Sequence, residues 1–375
     1  MPAENLRLAV LFGGPSPEHD VSVLTGLLAT RDLLSSGLRS KVKAIYWSKN
    51  GAFFEVDPTL EGSDFIEGAP SSATALELQL GPEGGFVQRK GRFGGTQRIE
   101  LDAVVVCCHG GPGEDGSLQG ALDLAGIAYT GPNAMGAALG MDKLATSALL
   151  QAAGVPVLPR SGLDADSSPP SYSGPFIVKP RFGGSSIGIE VVADFSTALL
   201  RRDANVHLRR GAVIEPYRGD LYDLQIAVRT WPKVQLSAIE HPERQREGAE
   251  ILDYKDKYVG GEGMHAAARE LPAKVSDAVA DRLRSAALAC VEALRVRGVA
   301  RIDFLSDGNE LFLNEVNTIP GSLSRYLFID PQLSFGELLD GLVDEALHVP
   351  GATYSTAGAD GSVLRSAGSI ASKLG

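Results

Sequence analysis

The sequence predicts a chain of mixed α/β and α+β type in three domains, the first built on a parallel sheet. Three observations carry that expectation. The apolar run Leu6 to Phe12 ends in Gly13-Gly14 and leads into a helical pattern from about Glu18 to Leu34, the strand, glycine turn and helix that open an α/β unit. A second buried-type run, Leu101 to Cys108, also ends in a glycine-rich turn, His109-Gly-Gly-Pro-Gly-Glu-Asp-Gly. At 375 residues the chain is too long for one ordinary domain.

The elements follow in order. Lys41 to Trp47 reads as a second strand, and Gly51 to Gln97, rich in Gly, Pro and Ser, as an insertion with short strands. A helix is expected over Leu118 to Ala125, and the turn Tyr129-Thr130-Gly131-Pro132 closes a first domain, residues 1–131. Residues 132–216 form a compact α+β unit. It has a helix from Met141 to Ala153, a loop from Pro159 to Pro175 and a short strand, Phe176 to Pro180. A Gly/Ser loop from Arg181 to Gly188, a helix from Ala193 to Arg202 and a strand from Ala212 to Glu215 complete it. Residues 217–348 form the third domain. It opens with a strand around Leu224 to Thr230, and the polar stretch Pro242 to Gly263 reads as a mobile loop. Ser276 to Arg297 is a strong helix, with Val279, Leu283, Ala287, Cys290 and Leu294 on one face. Arg301 to Ser306 and Glu310 to Val316 flank the hairpin signal Asp307-Gly308-Asn309. Residues 349–375 read as a flexible tail.

Composition bounds the function. With 44% apolar and 22% charged residues the chain is globular. A net charge of −11 disfavours nucleic acid and anionic membrane surfaces as partners. No run approaches the ~20 apolar residues of a membrane span, and the N-terminus lacks a signal-peptide pattern, so a cytoplasmic protein is expected. Cys107, Cys108 and Cys290 give neither a disulfide framework nor zinc spacing. They read as core thiols in preference to nucleophiles.

Residues i and i+2 of a strand share a face, so Glu315 and Asn317 do. If the hairpin loop holds three residues, Asp303 and Arg301 face the same way, with Ile302, Phe304, Phe312 and Val316 mostly on the other side. Two carboxylates and an amide oxygen suit Mg²⁺, which keeps waters and completes its shell from nucleotide phosphates. Periodicity alone does not separate this from a solvated strand face.

Lys143 sits early in a helix and Lys179 ends a strand. Arg181 to Gly188 reads as a lid whose backbone N–H groups and hydroxyls cradle phosphate. It lacks the Gly-Lys-Ser/Thr ending of a P-loop, and such a cluster by itself is more often an ordinary turn. Glu215 and Asp223 read as adenine and ribose contacts or as surface acids. Gly13-Gly14-Pro15-Ser16-Pro17-Glu18 is not the dinucleotide-binding fingerprint, which disfavours a nicotinamide-dependent oxidoreductase. His109 and Glu114 flank the second glycine turn, and two such turns at strand ends outline a substrate cleft.

Taken together the motifs resemble the D-alanine–D-alanine ligase family of ATP-grasp enzymes. The similar stretches are Phe12 to Ser22, His109 to Gly120, Tyr129 to Gly131, Met141 to Lys143, Val178 to Pro180 with Gly184 to Ser186, Tyr254 to Tyr258, Arg301 to Asp303, and Asn314 to Gly321. They occur in the family's order over about residues 6–345. The resemblance implies a three-domain ATP-grasp architecture and an ADP-forming ligase that joins two amino acids through an acyl phosphate. D-alanine would be the donor, and D-alanine or a related amino acid the acceptor. Lys143, Lys179, Ser185, Ser186, Glu215, Asp223 and Lys257 would bind ATP. Asp303, Glu315 and Asn317 would hold Mg²⁺, two ions in all. Glu18 would take the donor's ammonium, with His109 near its carboxylate. Arg301 and the Gly321 N–H would stabilise the oxyanion, and Ser185 and Tyr258 would close and orient the site. A homodimer through the N-terminal domain and a place in peptidoglycan synthesis are also implied.

Three departures bear on the acceptor and the nucleotide. The ribose acid is Asp223 rather than Glu and falls one residue late. The Gly/Ser loop carries no acid after Arg181. The segment after Pro320-Gly321 reads Ser322-Leu-Ser-Arg-Tyr326-Leu-Phe, shorter than the family's run. Ser324 would serve the acceptor carboxylate only if two residues are missing before it. An ungapped alignment puts Tyr326 there, with Ser322 also in the segment. The acceptor half therefore departs further than the donor half. A specialised ATP-grasp ligase with non-alanine substrates is one alternative, and a catalytically silent ATP-binding protein on the same fold is another.

Overall fold

The structure is a computed structural model that describes residues 6–35, 42–90, 94–242, 269–352 and 354–366. Strand β1 (Leu8–Gly13) is buried along its whole length. Helix α1 (His19–Ser35) packs against it so closely that a Cβ on Gly26 would meet the Phe12 side chain at 2.3 Å. Strand β2 (Val42–Trp47) pairs parallel with β1. The Gly51 to Gln97 stretch, expected as an insertion, instead extends the same sheet. Strands β3 (Phe53–Val56), β4 (Thr74–Gln79), β5 (Gly85–Arg89) and β6 (Thr96–Arg98) form an antiparallel meander off β2. Strand β7 (Ala103–Val106) returns parallel to the far side of β1, giving the order β6-β5-β4-β3-β2-β1-β7. The parallel part is β2-β1-β7, and its carboxyl ends carry both glycine turns. After β7 come the single turn α2 (Gly111–Glu114) and α3 (Ser117–Leu124).

The helix expected from Met141 to Ala153 is α5 (Lys143–Ala152), and a further helix not expected from the sequence, α4 (Ala134–Met141), precedes it. They break at Asp142, whose extended backbone lets its carboxylate cap α5 by accepting the Leu144 and Ala145 N–H groups. A four-stranded sheet of order β10-β9-β11-β8 follows: β8 (Ser161–Gly162), β9 (Phe176–Pro180), β10 (Glu190–Val192) and β11 (Ala212–Pro216). Helix α6 (Phe195–Ala204) lies on it over a small core of Leu163, Phe176, Val178, Val192, Ala198 and Ile214.

The third sheet has the order β14-β13-β12-β15-β16: β12 (Tyr222–Arg229), β13 (Gln235–Pro242), β14 (Arg269–Glu270), β15 (Val299–Ser306) and β16 (Leu311–Asn317). Strand β13 was not expected from the sequence. Helix α7 (Asp277–Leu294), capped by Ser276, buries Val279, Leu283, Ala287, Cys290 and Leu294 against this sheet, the face its periodicity predicts.

The chain then returns to its beginning. Ile319, Leu323, Leu327 and Phe328 join the first sheet's hydrophobic core, as do Phe335, Leu338, Leu339, Leu342 and Val343 of α8 (Phe335–His348). All three cysteines are buried, and desolvation pushes the Cys107 and Cys290 thiols up to about 12, which suits core packing and not nucleophilic work. Among the described residues no helix is long and apolar enough to cross a membrane.

Candidate active site

The β15–β16 hairpin builds the site's centre by an irregularity. Ser306 pairs with Leu311, so the loop holds four residues and not the three expected. A regular four-residue hairpin would set Asp303 opposite Asn314 and turn Glu315 to the other face. A bulge after the Phe304–Leu313 pair takes up one residue, Asn314, and sets Asp303 opposite Glu315 and Arg301 opposite Asn317. Burial follows the bulge: Leu311, Leu313 and Val316 enter the core, whereas Asn314 and Glu315 both line the cleft. Phe312, expected on the core side, is partly exposed under the Arg218 guanidinium. The row continues across the sheet, Asp303 pairing with Gln225 on β12 and Gln225 with Glu240 on β13.

Asp303 is 4% exposed and accepts a two-pronged bond from Arg301, Nε to Oδ1 at 2.7 Å and Nη2 to Oδ2 at 2.8 Å. Asn317 Nδ2 donates to the same carboxylate at 3.1 Å. Glu315 Oε2 lies 3.5 Å from Lys143 Nζ. Among the described residues no three His, Cys, Asp or Glu side chains form a metal cage unaided. The set is two opposed carboxylates and two amides, hard oxygen donors that a divalent cation would complete with oxygens from a ligand.

A cleft opens between the second and third sheets, with about 880 Å³ of empty space including the part open to solvent. Lys143, Lys179, Ser186, Glu215, Asp223, Asp303 and Glu315, all expected in a nucleotide site, line it together, with Ile177, Ile189 and Leu305 as apolar walls. Lys179 Nζ donates to Glu215 Oε2 and to Asn314 Oδ1, both at 3.0 Å. Lys143 donates to the Gly183 carbonyl, and burial holds its ammonium below the ordinary lysine range, with Glu315 opposing. Arg181, at the start of the Gly/Ser loop, forks onto Asp142, at 2.8 and 2.6 Å, so the α5 cap also anchors that loop.

Sequence reasoning missed Arg160. Its guanidinium reaches Glu215 Oε1 at 2.7 Å, the Lys143 carbonyl at 2.9 Å and the Asn314 carbonyl at 3.0 Å. One buried side chain thereby ties α5, β11 and β16 together. Two cations on Glu215 outweigh its desolvation and hold it below the ordinary carboxylate range. A lone Arg in a Pro159 to Pro175 loop carries no signal for this. Asn314 was missed because the bulge is invisible to periodicity.

A small polar pocket adjoins the cleft. It is lined by Glu18, His109, Glu114, Ser185, Arg301, Glu315, Asn317 and Ile319 to Gly321, so Glu315 belongs to both spaces. The two glycine turns and the Gly/Ser loop meet at Glu18. Ser185 donates to its carboxylate, and Gly110, at φ +62°, passes so close that a Cβ would meet Glu18 Oε2 at 2.3 Å. Glu114 accepts from the Gly110 and Ile319 N–H groups at 2.9 and 2.8 Å. Desolvation, then Glu18, pushes it up to about 7.

His109 lines this pocket beside Glu18 and Arg301. Its Nδ1 lies 2.6 Å from the Ile319 carbonyl and its Nε2 2.8 Å from Thr25 Oγ1. Desolvation pushes its pKa down to about 4. Both ring nitrogens are engaged within the protein and the ring is neutral near pH 7, so it shapes the pocket without offering a charge to a carboxylate.

The acceptor candidates separate. Gly321 lines the pocket. The Ser322 N–H donates to Thr25 Oγ1 at 3.0 Å. Ser324 is 0% exposed, and its hydroxyl has no partner among the described residues, so it does not reach the pocket wall. The physical reason is a left-handed turn, with φ of 49°, 50° and 51° at Ser322, Leu323 and Ser324. Tyr326 is turned to Glu240, which its hydroxyl bonds, under the Arg269 guanidinium 4.8 Å from its ring centre. Lys257, Tyr258 and the Pro242 to Gly263 loop beyond Pro242 lie outside the described residues.

Comparisons with known proteins agree along the chain. Residues 7–132 match the family described as D-ala D-ala ligase N-terminus and residues 164–344 that described as D-ala D-ala ligase C-terminus. A D-alanine–D-alanine ligase of a Bradyrhizobium strain is 32% identical over 360 residues, covering 92% of this chain and 96% of that one. One of Campylobacter lari is 31% identical over 336 residues, covering 89% and 91%. The solved D-alanine–D-alanine ligase of Helicobacter pylori superposes with a TM-score of 0.70 at 25% identity, over 93% of this chain and 100% of that one. The VanG D-Ala:D-Ser ligase of Enterococcus faecalis does so with 0.72 at 25%, over 92% and 100%.

Proposed function

The chain belongs to the D-ala D-ala ligase family, and on that premise we propose how its residues divide the work of joining two amino acids. It is an ATP-dependent, ADP-forming ligase. One observation carries the residue-level reading: Glu315 is shared by the cleft lined by Lys143, Lys179 and Glu215 and a polar pocket that holds Glu18, Arg301 and Gly321. That junction is where a phosphoryl group would pass from nucleotide to carboxylate.

In this reading Lys143 and Lys179 bind nucleotide phosphates, assisted by the backbone and hydroxyls of Gly184 to Ser186. Glu215 and Asp223 line the adenosine end. Glu18, held by Ser185, takes the donor's ammonium and so aims its carboxylate at the junction. Asp303, Glu315 and Asn317 would hold Mg²⁺, in two ions, which neutralises phosphate charge in the transfer. The donor set fits that ion by its chemistry: Asp303 and Glu315 are opposed across the hairpin with the Asn317 amide on the same face, all hard oxygen ligands, and Mg²⁺ would take the places now held by Arg301 and Lys143 on the two carboxylates. The donor carboxylate becomes an acyl phosphate and ADP departs. The acceptor's amine then attacks the carbonyl carbon and phosphate leaves. Arg301 and the Gly321 N–H face the oxyanion that forms between those events. The lid excludes water, to which an acyl phosphate is lost.

The donor is D-alanine and the acceptor D-alanine or another small D-amino acid, as the relatives' names suggest. The reading includes three domains divided near residues 131, 216 and 348, a homodimer through the first of them, and a cytoplasmic place in peptidoglycan precursor synthesis. The test is ADP release over pairs of D- and L-amino acids, with the products weighed by mass spectrometry, beside Glu315→Ala. Mg²⁺-dependent ADP release with D-alanine, and its loss in Glu315→Ala, is the expected result. Full turnover in the variant would remove Glu315 from the junction, and L-only products would overturn the substrate assignment.

A further inference from the structure

Thr25 sits on α1, 1% exposed, outside every role assigned so far. Its hydroxyl joins two things the reaction needs. The Ile319 carbonyl can only accept, so His109 carries its proton on Nδ1 and donates there at 2.6 Å. Nε2 is then an acceptor, and the Thr25 hydroxyl donates to it across 2.8 Å. The remaining lone pairs of Thr25 Oγ1 accept the Ser322 N–H at 3.0 Å. The chain of bonds runs Ser322 to Thr25 to His109 to Ile319, a closed loop that brackets Pro320 and Gly321.

What it brackets is costly to hold. Ser322, Leu323 and Ser324 are three consecutive non-glycine residues in the left-handed region. Other contacts hold it mainly from its C-terminal side: the Leu323 N–H donates to the Pro320 carbonyl at 2.8 Å, the Leu323 and Leu327 side chains enter the first sheet's core, and Tyr326 bonds Glu240. The Ser324 hydroxyl contributes nothing. The donor side stands on other supports, since Glu18 is held by Ser185 and the lysines by Glu215, Asn314 and the lid.

From this geometry we propose that Thr25 is a positioning residue for the acceptor half of the reaction. It fixes the Gly321–Ser324 turn through the Ser322 N–H and a neutral His109, and the donor half does not depend on it. The inference rests on the ligase reading above. Removing the hydroxyl strips the Ser322 N–H of its acceptor and His109 Nε2 of its donor at once, and the turn relaxes away from its left-handed form.

The experiment separates the two halves. In the whole enzyme, with ATP and Mg²⁺, acyl phosphate made from the donor is trapped by hydroxylamine. The hydroxylamine nitrogen takes the acyl group, phosphate leaves, and a hydroxamate is measured. Dipeptide formation is measured in parallel with acceptor below saturation. Thr25→Val, of nearly the same shape, should lower the dipeptide rate at least tenfold with hydroxamate formation within twofold of the parent. Thr25→Ser, which keeps the hydroxyl, should restore both. If the valine variant does not fold, Thr25→Ala is read by the same ratio. Parallel loss of both products, no loss of either, or no rescue by serine would overturn the positioning role. A parent enzyme that forms neither product with any amino acid would instead overturn the ligase reading.

Discussion

His109 shows what a single buried group does to the whole protein's pH dependence. Its ring is fully desolvated, and the folded pKa is pushed from 6.5 to about 4. A base whose pKa is depressed by folding stabilises the native state above its unfolded pKa and loses that contribution as pH falls through the folded value. Between pH 6.5 and 4 the native state should therefore lose roughly 3 kcal/mol through this group alone. Urea midpoints measured across that range should fall steeply for the parent and distinctly less for His109→Asn; parallel slopes would show that the ring titrates freely. The same scale explains what the sequence concealed. Lys143, Lys179 and Glu18 were legible because each stands in a local motif. Arg160 was not, because its three partners come from α5, β11 and β16, far apart in the chain.

At the scale of the element, the β15–β16 hairpin decides the chemistry by one extra residue. Periodicity showed that Glu315 and Asn317 share a face, but their relation to Asp303 depends on register, and register depends on the loop and on any bulge. The expected three-residue loop was wrong, and the bulge at Asn314 restored the pairing it was meant to explain. The bulge also turns Asn314 into the cleft, where its side-chain oxygen accepts from Lys179. A hydrogen bond to a charged group is worth about 1.5–3 kcal/mol. Asn314→Ala should accordingly raise the KM for ATP on the order of tenfold, with the acceptor KM little changed. An unaltered ATP KM would mean that Glu215 alone orients Lys179. The α7 helix is the contrasting case: its cap and its five-residue apolar stripe are local, and both were readable.

For the whole molecule, the main fact is that the last part of the chain belongs to the first core. Leu323, Leu327 and the apolar face of α8 pack under the N-terminal sheet, and Arg297 reaches the Tyr129 and Gly131 carbonyls at 2.8 and 2.6 Å from the other side. A boundary drawn by composition near residue 348 does not see this, because apolar periodicity reports that a face is buried and not against what. Truncating a fully buried leucine costs about 2–5 kcal/mol. Leu327→Ala should therefore lower the unfolding midpoint of the N-terminal sheet together with that of the third, in one transition. Near-UV circular dichroism of Trp47 and Trp231, one on each sheet's side, follows the two regions. A third-sheet transition that shifts alone would argue against a shared core.

The sequence by itself determined the order of the elements, the glycine turns at strand ends and most of the charged groups that meet in the cleft. These are local properties: strand and helix periods, caps, and side-chain types at fixed spacing. Tertiary structure alone decided that the 51–97 stretch continues the first sheet, that β13 exists, that Asp303 faces Glu315 through a bulge, and that Ser324 lies buried away from the pocket. It also decided that Thr25 stands between His109 and Ser322. The reason is the same each time. Pairing register and packing partners are set by contacts between residues distant in the chain, and no window of sequence contains both sides of such a contact.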